Sequence, residues 1–371
     1  MIKTIYRLFK YRAEWSKQVR EIQIRIDQAY ELNKLNSGAS RLIVFFIPGA
    51  EYQSGKENIS GGLISIVSLA EESRKIFNDD SLTEVVCCTY FGDHLLFKLT
   101  SFENFTPIFE YSKLTKYFKN LSSLILHVPE LFVEDLYNKQ LINLKFDYRN
   151  IQINILNQNI NFMPEINVIA KLNGIFKLVT ITTAHKKYCT SKFQELYNVP
   201  LHLLSVWISP EKYKKTDFSD KKDLVLFSPD NAKLTNKIIQ LINSNLPTFE
   251  IRIIKDLTYE DYKEILRSAK FVITTGEGLD AYFIETYFSG GVGISVKNED
   301  FFDEKYLDLQ VLMNESELIN STLVNLIRQL NEKQIFTQLN DKVFTMLAQD
   351  YSISIYKTNL KNFYNGEYTY C

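Results

Sequence analysis

Two carboxylates, Glu277 and Glu285, stand eight positions apart in a stretch that also holds Gly276, Gly278, Gly290, Gly291 and Gly293, five of the chain's 13 glycines. An apolar run from Lys270 to Thr275 ends just before it, and a second, Val292 to Val296, follows. A strand that ends in a Gly-rich turn and opens a helix presents backbone N–H groups, which form an anion site. Carboxylates beside such a turn can both face one cleft and accept hydrogen bonds from different hydroxyls of one ligand. Amides for phosphate and carboxylates for sugar hydroxyls make a nucleotide-sugar pocket. The competing reading is a plain strand–turn–helix, with Glu277 solvated and Glu285 a charged first-turn residue.

Other polar groups fall at the ends of apolar runs. Lys233, after Ser228-Pro-Asp-Asn-Ala, can offset charge on a leaving phosphate, with Lys237 a rival for that role. His185 follows Val179-Thr-Ile-Thr-Thr-Ala and could touch donor or acceptor, or simply cap the strand end. Asp93 and His94 follow Gly92, and either could take a proton from an acceptor hydroxyl. His127, Glu130 and Asn159 lie in further strand-end loops suited to hydroxyls, although such loops are commonly plain surface. Gly61 and Gly62 open a helix pattern where bare backbone lets a ligand come close.

Parallel strands are what would position these groups. Continuous apolar runs at 41–47, 82–90, 121–128, 151–156, 178–183 and 201–206 read as buried strands separated by helical or irregular segments. A charged stretch, 209–222, reads as a linker. Beyond it the alternation restarts: strands at 224–227, 250–254, 271–274 and 292–296, with helices at 234–243, 258–268 and 281–288. The final stretch, 330–362, is largely helical. The expected fold class is α/β, with two Rossmann-like doubly wound domains facing a cleft. Expected boundaries are a basic amphipathic N-terminal segment (1–38), an N-terminal acceptor domain (39–210), a nucleotide-sugar domain (211–340) and a C-terminal helical segment packing back on the first domain (341–371).

Composition narrows the partners. The 371 residues carry 43 basic and 44 acidic side chains, a balance that argues against nucleic acid as the main partner. Four cysteines without Cys-x-x-Cys spacing suit a reduced cytoplasmic protein, and four scattered histidines give little support to a metal cluster. No run is long enough to span a membrane, and no signal peptide with a clean apolar middle is seen. Residues 1–20 hold six bases against one acid, interleaved with Ile2, Ile5, Tyr6, Leu8, Phe9 and Trp15. That segment either lies on an anionic membrane surface or packs on the first domain.

The segment Glu277-Gly-Leu-Asp-Ala-Tyr-Phe-Ile-Glu285, followed by Gly290-Gly291 and an apolar strand, resembles the C-terminal-domain motif of GT-B-fold glycosyltransferases. It resembles especially the retaining family with two glutamates separated by seven residues. The resemblance is architectural over residues 40–365 and sharp only over 274–296, and Asp280 departs from it. It implies that Glu277 touches the transferred sugar and Glu285 the donor ribose. Gly278, Leu279, Asp280 and Ala281 would face sugar and diphosphate, with Lys233 as the basic diphosphate ligand. It also matches Ser60-Gly61-Gly62 to a donor or acceptor loop, and implies chemistry in the interdomain cleft with a final helix crossing back.

The expected activity is transfer from a nucleoside-diphosphate sugar to a growing glycan or lipid-linked oligosaccharide, as in bacterial capsule or O-antigen synthesis, at the inner face of the plasma membrane. No metal or other cofactor is expected, since no Asp-x-Asp motif is present. The alternatives are a catalytically silent GT-B subunit, and a nucleotide-sugar epimerase of the same fold.

Overall fold

The computed structural model describes residues 2–47, 52–53, 56–57, 61–89, 106–118, 120–135, 150–255, 257 and 259–371. Asp93 and His94 lie outside these residues. The chain divides into two compact units: Met1–Thr182 with Ser191–His202 and Tyr368–Cys371, and Thr183–Thr190 with Leu203–Glu367.

The first unit is built on a seven-stranded sheet. Its strands are β1 (Arg41–Ile47), β4 (Thr83–Thr89), β5 (Ile108–Glu110), β6 (Ser123–Pro129), β7 (Ile151–Asn157), β8 (Leu178–Thr183) and β9 (Leu201–Leu203). A separate two-stranded ribbon, β2 (Tyr52–Gln53) with β3 (Lys56–Glu57), follows β1. The sheet order is β5-β4-β1-β6-β7-β8-β9. β1 pairs parallel with both β4 and β6, in register from Arg41 opposite Thr83 to Ile47 opposite Thr89. Leu42 through Ile47 are all buried, as expected of a central parallel strand covered on both faces. The helix Gly61–Ile76 packs on β1 and β4 with Leu63, Ile66, Val67 and Ala70 inward.

The N-terminal segment is a single helix, Ile2–Leu32. It covers β5, the edge of the sheet: Gln28 is buried and accepts the Glu110 N–H at 3.3 Å, and Arg25 bonds the Glu110 carboxylate at 3.1 Å. A covered edge cannot template pairing with another strand. These contacts come from Ile24, Arg25 and Gln28, beyond the basic segment 1–20, where Tyr11, Arg12 and residues 14–19 are exposed.

The second unit carries a five-stranded sheet of β10 (Lys222–Phe227), β11 (Glu250–Ile253), β12 (Ala269–Thr274), β13 (Val292–Val296) and β14 (Leu312–Met313). The order is β11-β10-β12-β13-β14, with every neighbouring pair parallel. The helices Ala232–Asn245, Tyr259–Ser268 and Ala281–Phe288 connect its strands.

Two expectations are corrected. The 209–222 stretch is no loose linker: the Thr216 N–H bonds the Ser289 carbonyl, and Lys221 Nζ donates to the Arg267 and Ser289 carbonyls at 2.9 and 3.1 Å. Those carbonyls end two helices, where a cation is favoured. Lys221 is buried in this role, while Glu211, Lys214, Asp217, Asp220 and Lys222 of the same stretch are exposed. The C-terminal stretch is three helices, Ser321–Leu330, Lys333–Asp350 and Ile353–Asn365. The boundary drawn at 340/341 falls inside the middle one, whose Asn340 amide reaches the Tyr287 and Gly291 carbonyls. After the last helix the chain returns to the first unit, where Tyr370 bridges to Leu201. β14, two residues long, left no periodic signal.

Candidate functional site

Counted in chain order, the second sheet runs second-first-third-fourth-fifth. Its connections diverge between β10 and β12, the place where open parallel sheets bind ligands. The loops that leave these two strands touch. The Ser228 N–H bonds the Ile273 carbonyl, and the Ser228 hydroxyl accepts from the Thr275 N–H at 3.3 Å. The Thr275 and Thr235 hydroxyls both donate to the Asp230 carbonyl at 3.2 Å and lie 2.9 Å from each other. A Cβ at Gly276 would come within 2.9 Å of Asp230 Oδ2. For Asp230 the sequence offers no signal beyond its place after an apolar run.

Glu277 is exposed on the β12 loop. The next residue, Gly278, has φ +111°, and a Cβ there would lie 2.8 Å from the Phe302 ring. Only glycine accepts both constraints at low cost. Gly290 has φ +82°, and a Cβ there would lie 2.4 Å from the Thr216 carbonyl. It ends the Ala281–Phe288 helix and lets the 209–222 stretch pass close by. The glycines of this segment thus shape a loop and a helix end.

Asp280 caps that helix. Its Oδ1 accepts the Phe283 N–H at 2.9 Å, and the Thr274 hydroxyl donates to Oδ2. Burial pushes its carboxyl up to about 7 against those two bonds, and the neighbouring Asp230 and Glu277 charges add to the rise. Leu279 is buried and Ala281 exposed, while Lys233 is exposed on the first turn of the Ala232–Asn245 helix, capped by Asn231. Around the start of the Ala281–Phe288 helix the protein therefore places the three carboxylates of Asp230, Glu277 and Asp280, a more acidic setting than an anion site suggests. Among the described residues no group of three or more His, Cys, Asp or Glu side chains has the arrangement to hold a metal ion.

Glu285 is placed quite differently from Glu277. It is buried, accepting the Tyr213 hydroxyl on Oε1 at 2.5 Å and the Tyr262 hydroxyl on Oε2. Burial raises its pKa, and the two tyrosine bonds, Lys212 and Lys263 work in the opposite direction. Tyr259 lies 3.2 Å from the Tyr213 hydroxyl, and Tyr282 packs edge-on to Tyr262 at 5.9 Å. Four tyrosines from three segments thus surround one carboxylate. The i,i+3 spacings Tyr259/Tyr262 and Tyr282/Glu285 were the available signal; that Tyr213 joins them no local pattern could show. A carboxylate has about four acceptor positions, so two remain after the tyrosines.

His185 belongs to the second unit. Its ring meets Phe301 edge-on at 5.3 Å, and the adjacent Phe302 is the ring that limits Gly278. The structure thus brings His185, Lys233, Glu277, Gly278, Leu279, Asp280, Ala281 and Glu285 into one unit.

The first-unit candidates are placed otherwise. His127 is fully buried, stacked on Phe45 at 4.1 Å, and bonded through Nδ1 to the Asn154 amide. Burial holds its pKa down at about 3, so the ring is neutral. The Asn154 amide also reaches Thr182, and Thr180 donates to Asn154. The expectation of an acceptor-facing His127 is corrected: this is a satisfied polar chain inside the sheet. Glu130 and Asn159 are buried too, and Glu130 accepts the backbone N–H groups of Gln158 and Asn159 at 3.2 and 2.8 Å. The Asn159 side chain caps the turn after β7. Gly61 is exposed with nothing within 4 Å of a Cβ, so packing does not demand glycine there, and Gly62 is half-buried beside it.

No protein-family model matches the chain, and no curated protein matches it. Solved structures do. Anabaena HepE, in complex with UDP-glucose, superimposes over 88% of this chain and 99% of its own, with TM-score 0.57 and 10% identity. The fold is GT-B. Sucrose-phosphate synthase from Thermosynechococcus elongatus matches over 88% of this chain and 98% of its own, with TM-score 0.54 and 9% identity. At such identities the likeness concerns the GT-B architecture, with its two parallel sheets and a chain end that returns to the first unit.

Proposed function

We propose that this protein is a glycosyltransferase that takes its sugar from a nucleoside-diphosphate donor bound at the carboxyl end of the second sheet. What supports the reading most is the meeting of the β10 and β12 loops at that sheet's divergence point, with Glu277 exposed beside a glycine-shaped helix start. The same architecture spans nearly the whole of a protein crystallised with UDP-glucose. In this reading Glu277 faces the transferred sugar, where a fixed carboxylate stabilises positive character developing in the transition state. Lys233 and the first-turn N–H groups of Ala281 and Tyr282 offset the diphosphate. Asp280 interferes least when protonated. Glu285 holds the ribose hydroxyls with the acceptor positions that Tyr213 and Tyr262 leave, His185 lies nearby on Phe301, and no metal is called on. The finer reading is retention of configuration and a growing surface glycan or lipid-linked oligosaccharide as acceptor, on the cytoplasmic side.

A second reading has its own observation. Glu285 already bonds two tyrosines, so it also fits a clasp in a non-catalytic GT-B protein. Nucleotide binding separates the two. A panel of nucleoside diphosphates and their sugars is screened by thermal shift, since a ligand that binds only the folded state raises its melting temperature. At least one should do so, and Glu285→Ala should weaken its binding by about 1.5–3 kcal/mol. If none binds, the transferase reading fails and the clasp remains.

A further inference from the structure

The outward face of the Ile2–Leu32 helix carries Tyr11, Trp15, Val19, Ile22, Ile26 and Tyr30, each 45–68% exposed. At 100° per residue these six fall within an arc of roughly 100°. The side that holds buried Ile24 and Gln28 is nearly opposite, so the apolar stripe cannot be covered by the sheet edge on which the helix rests. It runs about 29 Å at 1.5 Å per residue. A continuous exposed stripe of this size marks an interaction surface.

We infer that this stripe pairs with the same stripe of a second copy of the chain, with the two helices antiparallel. The spacing is the first argument. The intervals are four, four, three, four and four residues, identical in either direction. An antiparallel two-fold centred between Val19 and Ile22 therefore sets Tyr11 against the partner's Tyr30, Trp15 against the partner's Ile26 and Val19 against the partner's Ile22. A two-fold contact requires this self-complementarity, whereas a lipid surface imposes no such symmetry. Charge is the second argument. Residues 9–20, which this two-fold sets against the partner's 21–32, carry Lys10, Arg12, Lys17 and Arg20 against Glu14, while residues 21–32 carry Glu21, Asp27 and Glu31 against Arg25. Antiparallel pairing lays the basic half of each helix along the acidic half of the other; parallel pairing would set like halves together. An anionic membrane suits only the first half, because acids predominate where the stripe continues through Ile22, Ile26 and Tyr30.

Sedimentation velocity on the full chain should show a reversible dimer that becomes monomeric with Trp15→Glu and Ile26→Glu combined. Both side chains are exposed, so the variant should keep the wild-type circular dichroism and melting profile at low protein concentration. Orientation is read by disulfide trapping in a Cys371→Ser background, since Cys371 is the exposed cysteine. Mixing Val19→Cys with Ile22→Cys protein should give mainly the mixed disulfide, at least severalfold above either homodimer. Predominant homodimers would overturn the antiparallel arrangement. A wild-type chain that stays monomeric at every concentration would overturn the pairing itself. If that monomer binds phosphatidylglycerol/phosphatidylcholine vesicles through Trp15, the stripe belongs to a membrane surface instead.

Discussion

At the carboxyl end of β6, His127 and Glu130 are buried and bonded to the protein itself. At the carboxyl end of β12, Glu277 is exposed, and the partly buried Asp280 is held at about 7 with the charges of Asp230 and Glu277 nearby. In sequence both places are a polar cluster after an apolar run. One is a satisfied network that closes a loop and fixes the sheet. The other keeps like charges together, an arrangement that costs stability and persists where a site needs perturbed groups. Polar residues at a strand end become candidates for chemistry when the fold leaves them strained or uncovered, and not because they are polar.

The sharpest break in this contrast sets Glu277 against Glu130. Glu277→Gln should lower sugar-transfer turnover about ten- to a thousandfold, roughly 1.4–4 kcal/mol of barrier, with an unchanged melting temperature. Glu130→Gln should do the reverse. Turnover per folded molecule should persist, while urea unfolding shows a loss of about 1–3 kcal/mol, because two backbone N–H groups lose a charged acceptor. Wild-type turnover in Glu277→Gln removes that residue from the chemistry.

Next come the two glycine loops. Gly278→Ala meets both a positive φ and the Phe302 ring, and should cost about 2–3 kcal/mol in chemical denaturation. Gly61→Ala has open space at the start of a helix, and should change stability by at most about 0.5–1 kcal/mol, in the favourable direction. If Gly61→Ala alters substrate kinetics with stability intact, that position faces a ligand, and the first unit has chemistry of its own.

Asp280 sharpens the electrostatic half of the comparison. Its carboxyl keeps a proton in the fold up to about pH 7 but loses it near 3.8 in the unfolded chain. Its contribution to stability is therefore full below pH 3.8 and is lost as pH rises to about 7. Asp280→Asn retains a capping oxygen and does not titrate. Relative to this variant, wild type should lose on the order of 1–3 kcal/mol across that window. Parallel pH profiles of the two proteins would place the strain elsewhere.

The smallest effect belongs to Tyr213→Phe, which removes one hydroxyl from Glu285. Stability should fall by about 1 kcal/mol and nucleoside-diphosphate affinity severalfold. Lost stability with intact affinity would make Glu285 a clasp alone.

Much of this molecule was legible beforehand. The runs at 41–47 and 292–296 and the helix at 281–288 match the observed elements, because a parallel strand buried on both faces must be apolar throughout. Boundaries failed where local pattern is weak. β14 is two residues long, and the charged 209–222 stretch bonds the carbonyls at the ends of two helices that lie 46 to 73 residues further along the chain. Within the site, the loop that carries Glu277 and Gly278 could be placed from glycines and periodicity. The partners of Glu285 could not, since Tyr213 is separated from it by 72 positions.

By itself the sequence determined the parallel α/β architecture, for burial pattern and turn residues are local properties of the chain. The tertiary structure alone decided which acids are exposed, capped or enclosed, because desolvation and hydrogen-bond partners come from segments distant in sequence. Glu277 and Glu285, eight residues apart and chemically alike, differ for that reason: one is exposed on a loop, the other is buried and bonded by tyrosines from two other segments.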